Sequence, residues 1–155
     1  MTKNLSYFMR EEKEEIITVP APDSFKDENG KPIQMEVKTL SGERIRKINE
    51  SYRKRSIAVD RNGKPIVVNG EVVFQTENDT ARAFRHIIVE ALVSPDLCDK
   101  ELMDFYHCYD KTEMPLKVFS RPGEYDQVWT TVMTALGLIQ SEKNTESGLV
   151  EEAKN

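Results

Sequence analysis

The spacing of the apolar residues changes along the chain, and this change most restricts the folds open to it. Near the N-terminus, Ile33, Met35 and Val37 alternate with polar residues, which is the period-two pattern of a half-buried strand. From about residue 79 onward the apolar residues recur at intervals of three and four, as in amphipathic helices. We therefore predict an α+β fold that is mainly α-helical, with a small N-terminal antiparallel β element.

Turn dipeptides delimit the strands of this β element. The β-branched stretch 15–19 stops at a proline and predicts a short edge strand, and Asn29-Gly30 predicts a tight turn before the next strand. A second hairpin is predicted over 65–75, where Asn69-Gly70 joins two valine-rich runs. This β-hairpin would lie between two helices.

Helical periodicity predicts four helices, with a compact helical part in the C-terminal half. Ser41 is a suitable N-cap for the first of them, and in the third we expect Leu102, Phe105 and Tyr106 to face inward. Residues 114–121 read as a connection with at most one helical turn. The predicted helices span residues 41–57, 79–93, 99–106 and 124–137.

Length and local composition predict the domain organisation. A chain of 155 residues corresponds to about one domain. We expect a flexible N-terminal segment over 1–15, a single globular domain over 16–139 and a disordered, polar tail over 140–155.

Several functional classes are disfavoured by what the sequence does not contain. No apolar run approaches the ~18–20 residues of a membrane helix, so we expect no membrane partner. No phosphate-binding, dinucleotide-binding or hydrolase motif occurs, and two histidines and two cysteines do not supply the spacing of a zinc site. We therefore assign no catalytic, cofactor-binding or metal-binding residues, and no cofactor.

The two cysteines are expected to be free thiols. Ten helical residues between Cys98 and Cys108 would separate them by about 15 Å, beyond the ~7 Å that a disulfide allows between Cα atoms. Free thiols are typical of a reducing cytoplasm.

Two segments of opposite charge lie within a chain whose net charge is only −5. Residues 41–58 carry a local charge of +4 and residues 96–114 a local charge of −4. These segments are either solvated helix faces or surfaces that attract each other, within one fold or between copies of the chain. The candidate self-association residues are Arg53, Lys54, Arg55, Asp99, Glu101 and Asp104.

The apolar stripe of the last predicted helix also has two interpretations. A tryptophan at helical spacing usually belongs to the core, yet an exposed stripe would bind a partner. The candidate partner-binding residues on this stripe are Tyr125, Val128, Trp129, Val132 and Leu136.

The stretch from Ile87 to Tyr106 and the stretch over 122–129 resemble the XkdN-like family of phage tail assembly chaperones. The first includes Val-Ser-Pro-Asp-Leu, and the second is Pro-Gly-Glu-Tyr-Asp-Gln-Val-Trp. Phe-Lys-Asp-Glu-Asn-Gly-Lys-Pro-Ile over 25–33 and Lys-Thr-Leu-Ser over 38–41 are similar as well. Together they cover most of residues 23–138.

The resemblance implies a non-enzymatic protein in the cytoplasm of a bacterial host. Such a chaperone binds the tape measure protein and keeps its long apolar helices soluble until tail tube subunits polymerise around it, which makes the tail tube protein a second expected partner. Several copies along one extended client imply a homo-oligomer. Relatives are often made in two lengths by ribosomal frameshifting, and Glu142-Lys143-Asn144 is compatible with slippery codons.

Two other functions remain open at this point. One is a structural tail or baseplate component of a phage-like particle, which would be retained in the virion. The other is a small DNA-binding regulator that uses the basic segment 41–58, although the acidic total charge disfavours a nucleic-acid partner.

Overall fold

The computed structural model describes residues 4–140 and contains five α-helices and seven strands within that range. A short 3₁₀-helix, Leu5–Phe8, precedes them. The strands are β1 (Ile16–Pro20), β2 (Gln34–Lys38), β3 (Arg53–Ile57), β4 (Val67–Val68), β5 (Glu71–Val72), β6 (Phe74–Asn78) and β7 (Leu92–Ser94). The helices are α1 (Gly42–Ser51), α2 (Thr80–Ala91), α3 (Lys100–Tyr106), α4 (Met114–Val118) and α5 (Glu124–Ala135).

A three-stranded antiparallel sheet forms one side of the molecule, in the order β1-β2-β7. The predicted edge strand is β1, which pairs with β2 from Ile16 opposite Lys38 to Pro20 opposite Gln34. In β2, Met35 and Val37 are buried between exposed neighbours, so the predicted alternation is confirmed. The sheet thus presents one apolar face to the helices.

The helices pack around α2, which contacts α1, α4 and α5. Ile87, Ile88 and Ala91 on this helix have no exposed surface, and Val89 on another side is also buried. A helix that is apolar on more than one side requires partners around it. Helices and antiparallel strands therefore share the fold as predicted, although the mainly helical character is confirmed only in part.

Buried residues from the sheet and the helices form one apolar cluster. Its members with no exposed surface come from β2, α2, α4, α5 and the turn after β7. They are Val37, Ile87, Ile88, Ala91, Leu97, Met114, Val128, Val132 and Met133.

The prediction of a helix over 41–57 is wrong for residues 53–57. Helix α1 ends at Ser51, where Tyr52 N–H donates to the carbonyl oxygens of Asn49 and Glu50. Residues Arg53–Ile57 then form β3 and pair with β6. Strand pairing supplies hydrogen-bond partners from residues 17 to 25 positions away, which local periodicity does not reveal.

The helix predicted over 79–93 also ends early. Helix α2 ends at Ala91, and Leu92–Ser94 form β7 beside the second edge of β2. The Ser94-Pro95 peptide bond that follows is cis. The connection predicted over 114–121 contains α4, a helix of five residues.

Residues 53–78 form a two-stranded ribbon that we call the arm. Its base is β3 paired with β6, and its tip is the β4–β5 hairpin, which confirms the hairpin predicted over 65–75. Both Asn69 and Gly70 have positive φ angles (53° and 81°), as a two-residue hairpin turn requires. Asp79 N–H donates to Tyr52 O at 3.1 Å, so the two ends of the arm leave the helical body together.

The N-terminal residues 4–15 are exposed. Tyr7 and Phe8 are more than four-fifths exposed, so the N-terminal apolar residues stand apart from the core. Apart from Gln140, the predicted tail over 140–155 lies outside the described residues, as does the candidate frameshift site. The predicted division into segment, domain and tail stays a prediction.

Candidate partner-binding surfaces

The α5 stripe is turned largely into the core. Val128 and Val132 have no exposed surface, whereas Tyr125, Trp129 and Leu136 are partly buried against the same cluster. Only the last three retain surface that a partner can reach in the folded chain.

Aromatic packing explains the position of Trp129. Its ring meets Phe84 of α2 edge to face, with centroids 5.8 Å apart. Burial raises the pKa of the Tyr125 hydroxyl, with Asp126 raising it further and Arg85 opposing the shift. The stripe therefore joins α5 to α2, and its role in binding a partner stays a prediction.

The basic candidates lie on β3 of the arm, because the helix on which they were predicted ends before them. Arg53, Lys54 and Arg55 are exposed, and none of them forms an ion pair with another described residue. The guanidinium of Arg55 lies 4.2 Å from the centre of the Phe74 ring. This stacked arrangement keeps a cation beside an exposed aromatic residue.

The acidic candidates lie on or beside α3. Asp99 is the N-cap, with its carboxylate accepting from the backbone N–H groups of Glu101 (2.9 Å) and Leu102 (3.4 Å). Asp104 accepts from the Tyr109 hydroxyl at 2.8 Å. Within residues 4–140 no salt bridge connects these carboxylates to any cation, so the structure does not bring the two predicted charge sets together in one copy.

Several of the remaining charges of the two segments are paired within the fold. Arg44 donates to both carboxylate oxygens of Glu90, and this hydrogen bonding lowers the pKa of Glu90. Arg82 pairs with Asp110 at 2.8 Å. The Thr112 hydroxyl and backbone N–H lower the pKa of Asp110. The candidate cations on the arm and the candidate carboxylates on or beside α3 thus differ from these residues in having no ion-pair partner among residues 4–140.

An apolar groove of about 250 Å³ lies between the open end of the sheet and helices α3 and α4. Phe25 and Phe119 form one wall, edge to face with ring centroids 5.7 Å apart. We call this cavity the groove. Its other apolar lining residues are Ala21, Ile33, Met35, Pro95, Leu102, Tyr106 and Val118.

Sequence reasoning did not identify the groove. Its lining comes from four separate parts of the chain, and each part looks like ordinary core or loop when read alone. The one local signal is Ser94-Pro95, which follows β7 and lines the groove together with Met35. Ile33 keeps 39% of its surface exposed at this site.

A second, more open depression of about 390 Å³ adjoins the groove, and the two share Pro95 and Leu102. We call it the acidic depression, because Asp96, Asp99 and Glu101 line it together with Phe105. The prediction that Phe105 faces inward is wrong, since this ring is 74% exposed. Leu102 and Tyr106 occupy the inward side of this two-turn helix, and Phe105 lies to one side of them.

The arm exposes apolar side chains along much of its length. Seven of its large apolar residues are 38% to 56% exposed. A two-stranded ribbon with both faces in water is marginally stable by itself. The exposed apolar residues of the arm are Ile57, Val59, Ile66, Val67, Val68, Val72 and Phe74.

Other site types have little support in the described residues. Among residues 4–140 no cluster of three or more histidine, cysteine or acidic side chains has the arrangement of a metal site. Cys98 and Cys108 are free thiols, as predicted. No helix in this part of the chain is long and apolar enough to cross a membrane.

Comparison with known proteins gives two matches. A family model described as phage XkdN-like tail assembly chaperone protein matches residues 5–154. The crystal structure of a protein titled yqbn, from a structural genomics consortium, is similar in fold, with a TM-score of 0.64 at 24% sequence identity over 88% of this chain and 98% of that one. No curated protein sequence matches the chain.

Proposed function

The chain belongs to the family of XkdN-like phage tail assembly chaperones, and from this membership we propose that it binds the tape measure protein of its phage. Binding keeps the apolar helices of this client soluble until the tail tube polymerises around it. The proposal places the protein in the cytoplasm of the infected or lysogenic host, with the tail tube protein as a second partner.

The observation that supports client binding is the groove. Its lining is almost entirely apolar, and it opens beside charged residues that keep the surrounding surface hydrated. An amphipathic helix binds such a groove by placing its apolar face inside, with a gain of about 25 cal/mol for each Å² of apolar surface removed from water. Apolar helices of a client fit this chemistry.

The groove is a better candidate than the α5 stripe for a physical reason. Contact with Val128 or Val132 would require the core to open, because neither side chain reaches the surface. Ile33, Leu102 and Tyr106 in the groove are accessible without any change of fold.

Co-expression with the tape measure protein of the same phage tests the proposal. We expect the wild-type chain to keep the client in the soluble fraction and to co-purify with it. Ile33→Glu places a carboxylate in the groove and should abolish both effects. Leu116→Glu is the matched control, because Leu116 is equally exposed at 39% but does not line the groove.

Two results would contradict the proposal. If the wild-type chain leaves the client insoluble, the chaperone activity is wrong. If both variants bind the client equally well, the groove is not the site. Mass spectrometry of purified tails tests the alternative, because a structural tail or baseplate component would be present in the particles and a chaperone would be absent.

A further inference from the structure

The base of the arm has two different faces. Residues directly opposite each other in an antiparallel pair point to the same side, so Arg53, Arg55, Ile57 and Phe74 share one face. Lys54 lies on the other face, opposite Glu77. One side of the base therefore combines unpaired cations with exposed apolar residues, and we call it the basic face.

The acidic depression has the complementary composition. Leu102 and Phe105 supply apolar surface, and Asp96, Asp99 and Glu101 supply negative charge next to it. Alternate residues on a strand lie about 7 Å apart, and residues three or four apart on a helix lie about 5–6 Å apart. The two arginines of the basic face precede Ile57 along the strand, and the carboxylates precede Phe105 along the chain, so each surface has charged groups followed by apolar groups at similar intervals.

We propose that the basic face of one copy docks on the acidic depression of a second copy. Phe74 and Ile57 then cover Phe105 and Leu102, while the arginines face the carboxylates. This contact removes from water the two exposed apolar residues at the base of the arm and the most exposed ring of α3. Charge complementarity sets the orientation, because the reverse placement would put the arginines against apolar side chains and leave the carboxylates without partners.

This contact is heterologous, since it joins two different surfaces. Each added copy presents a new arm at one end and a new depression at the other. Copies therefore associate head to tail, in a ring or an open series. The contact shares Pro95 and Leu102 with the groove but uses neither Ile33 nor Tyr106. Its tests measure self-association in the absence of a client, so this inference does not rest on the proposed client binding.

Sedimentation velocity of the full chain over a range of concentrations tests the inference. We expect reversible association that weakens at high ionic strength. Reversal of charge in R53E/R55E, or in D96K/E101K, should raise the dissociation constant by roughly tenfold or more, because attraction becomes repulsion. A chain that combines all four substitutions should recover association. K54E is the matched control on the opposite face and should associate like the wild type.

Mixing two apolar variants tests the head-to-tail arrangement. F74D disables the arm and F105D disables the depression, and each should be monomeric alone. Their equimolar mixture should form dimers and nothing larger, because one intact arm meets one intact depression. Thermal unfolding of each variant checks that it is folded, and both positions are more than half exposed.

Several outcomes would overturn the inference. The inference is wrong if the wild-type chain stays monomeric at all concentrations. It is also wrong if the variant that combines all four charge reversals does not recover self-association. Equal damage from K54E and R53E/R55E would remove the assignment to one face. Salt-sensitive binding of duplex DNA that needs Arg53 and Arg55, without self-association, would assign the basic face to nucleic acid instead.

Discussion

The phenolic oxygen of Tyr52 lies 2.7 Å from Nδ1 of His86, which joins the end of α1 to the middle of α2. The two rings also meet edge to face, with centroids 5.6 Å apart. Tyr52 directly precedes the arm, and its carbonyl oxygen accepts from Asp79 N–H at the other end of it. This contact therefore fixes the point at which the arm leaves the body.

The stability of the fold should decrease as this histidine becomes protonated. Burial lowers the pKa of His86 below its ordinary value of 6.5, nearby Lys111 and Arg44 lower it further, and Glu90 opposes them. Below about pH 6.5 the unfolded chain then binds more protons than the folded chain. The free energy of unfolding therefore decreases as the pH is lowered. Urea unfolding at several pH values should show this decrease, and H86Q should reduce it. Parallel pH profiles for the two proteins would contradict the prediction.

Arg85 should contribute more to stability than its surface position suggests. Its side chain is 16% exposed and donates from Nε to Thr112 O at 2.7 Å, and it also pairs with Glu113. We expect Arg85→Ala to cost about 2 kcal/mol, because a charged hydrogen bond to a carbonyl oxygen is lost. Arg121→Ala is the control and should change the free energy of unfolding by less than about 0.5 kcal/mol, since that side chain is 75% exposed. Similar losses for the two variants would show that burial of Arg85 is unimportant.

The turn at the tip of the arm should control the arm without affecting the body. Gly70 has a φ of 81°, where a side chain costs about 1 kcal/mol of backbone strain. Gly70→Ala should therefore speed hydrogen exchange in β4 and β5 while the midpoint of global thermal unfolding stays unchanged. Gly42→Ala is the control, because Gly42 is the first residue of α1 and has open space around the position of an added methyl group. This variant should leave hydrogen exchange in the arm unaltered. A lower global midpoint for the Gly70 variant would mean that the arm and body unfold together.

Substitution in the α5 stripe should affect stability and leave client affinity unchanged. Val132 has no exposed surface, so Val132→Ala should cost about 2 kcal/mol from lost burial and the cavity that remains. The folded fraction should still bind the tape measure protein like the wild type. Calorimetric titration at low temperature measures this affinity, and a selective loss of binding by folded Val132→Ala would restore the stripe as the client site.

Elements with local signals could be predicted from the sequence. The alternation around Met35 identified β2, the Ser41 N-cap began α1 and Asn69-Gly70 marked the hairpin tip. In each case hydrogen bonds or burial within a few residues decide the structure. The apolar periodicity of α5 is also a local signal. It indicates which residues share a face, but it cannot distinguish a face that packs on the core from a face that binds a partner.

The errors and the missed site have a common cause, which is contact between distant parts of the chain. Arg53–Ile57 form a strand because Phe74–Asn78 supply their hydrogen-bond partners. Leu92–Ser94 pair with the second edge of β2 and do not continue α2. The groove exists only where loop 21–33, the cis-proline turn and two helices meet. None of these pairings is encoded in a local pattern.

Removal of most of the arm should separate self-association from client binding. Lys54 and Glu77 are directly paired in the ladder, so an Asn-Gly turn can join them in place of residues 55–76. We expect the shortened chain to remain folded, because the buried cluster contains no residue from the arm. It should be monomeric in sedimentation velocity, since the basic face is lost, yet still keep the tape measure protein soluble through the groove. A shortened chain that still self-associates would contradict the arm contact, whereas loss of client binding with an unchanged melting temperature would place the client on the arm.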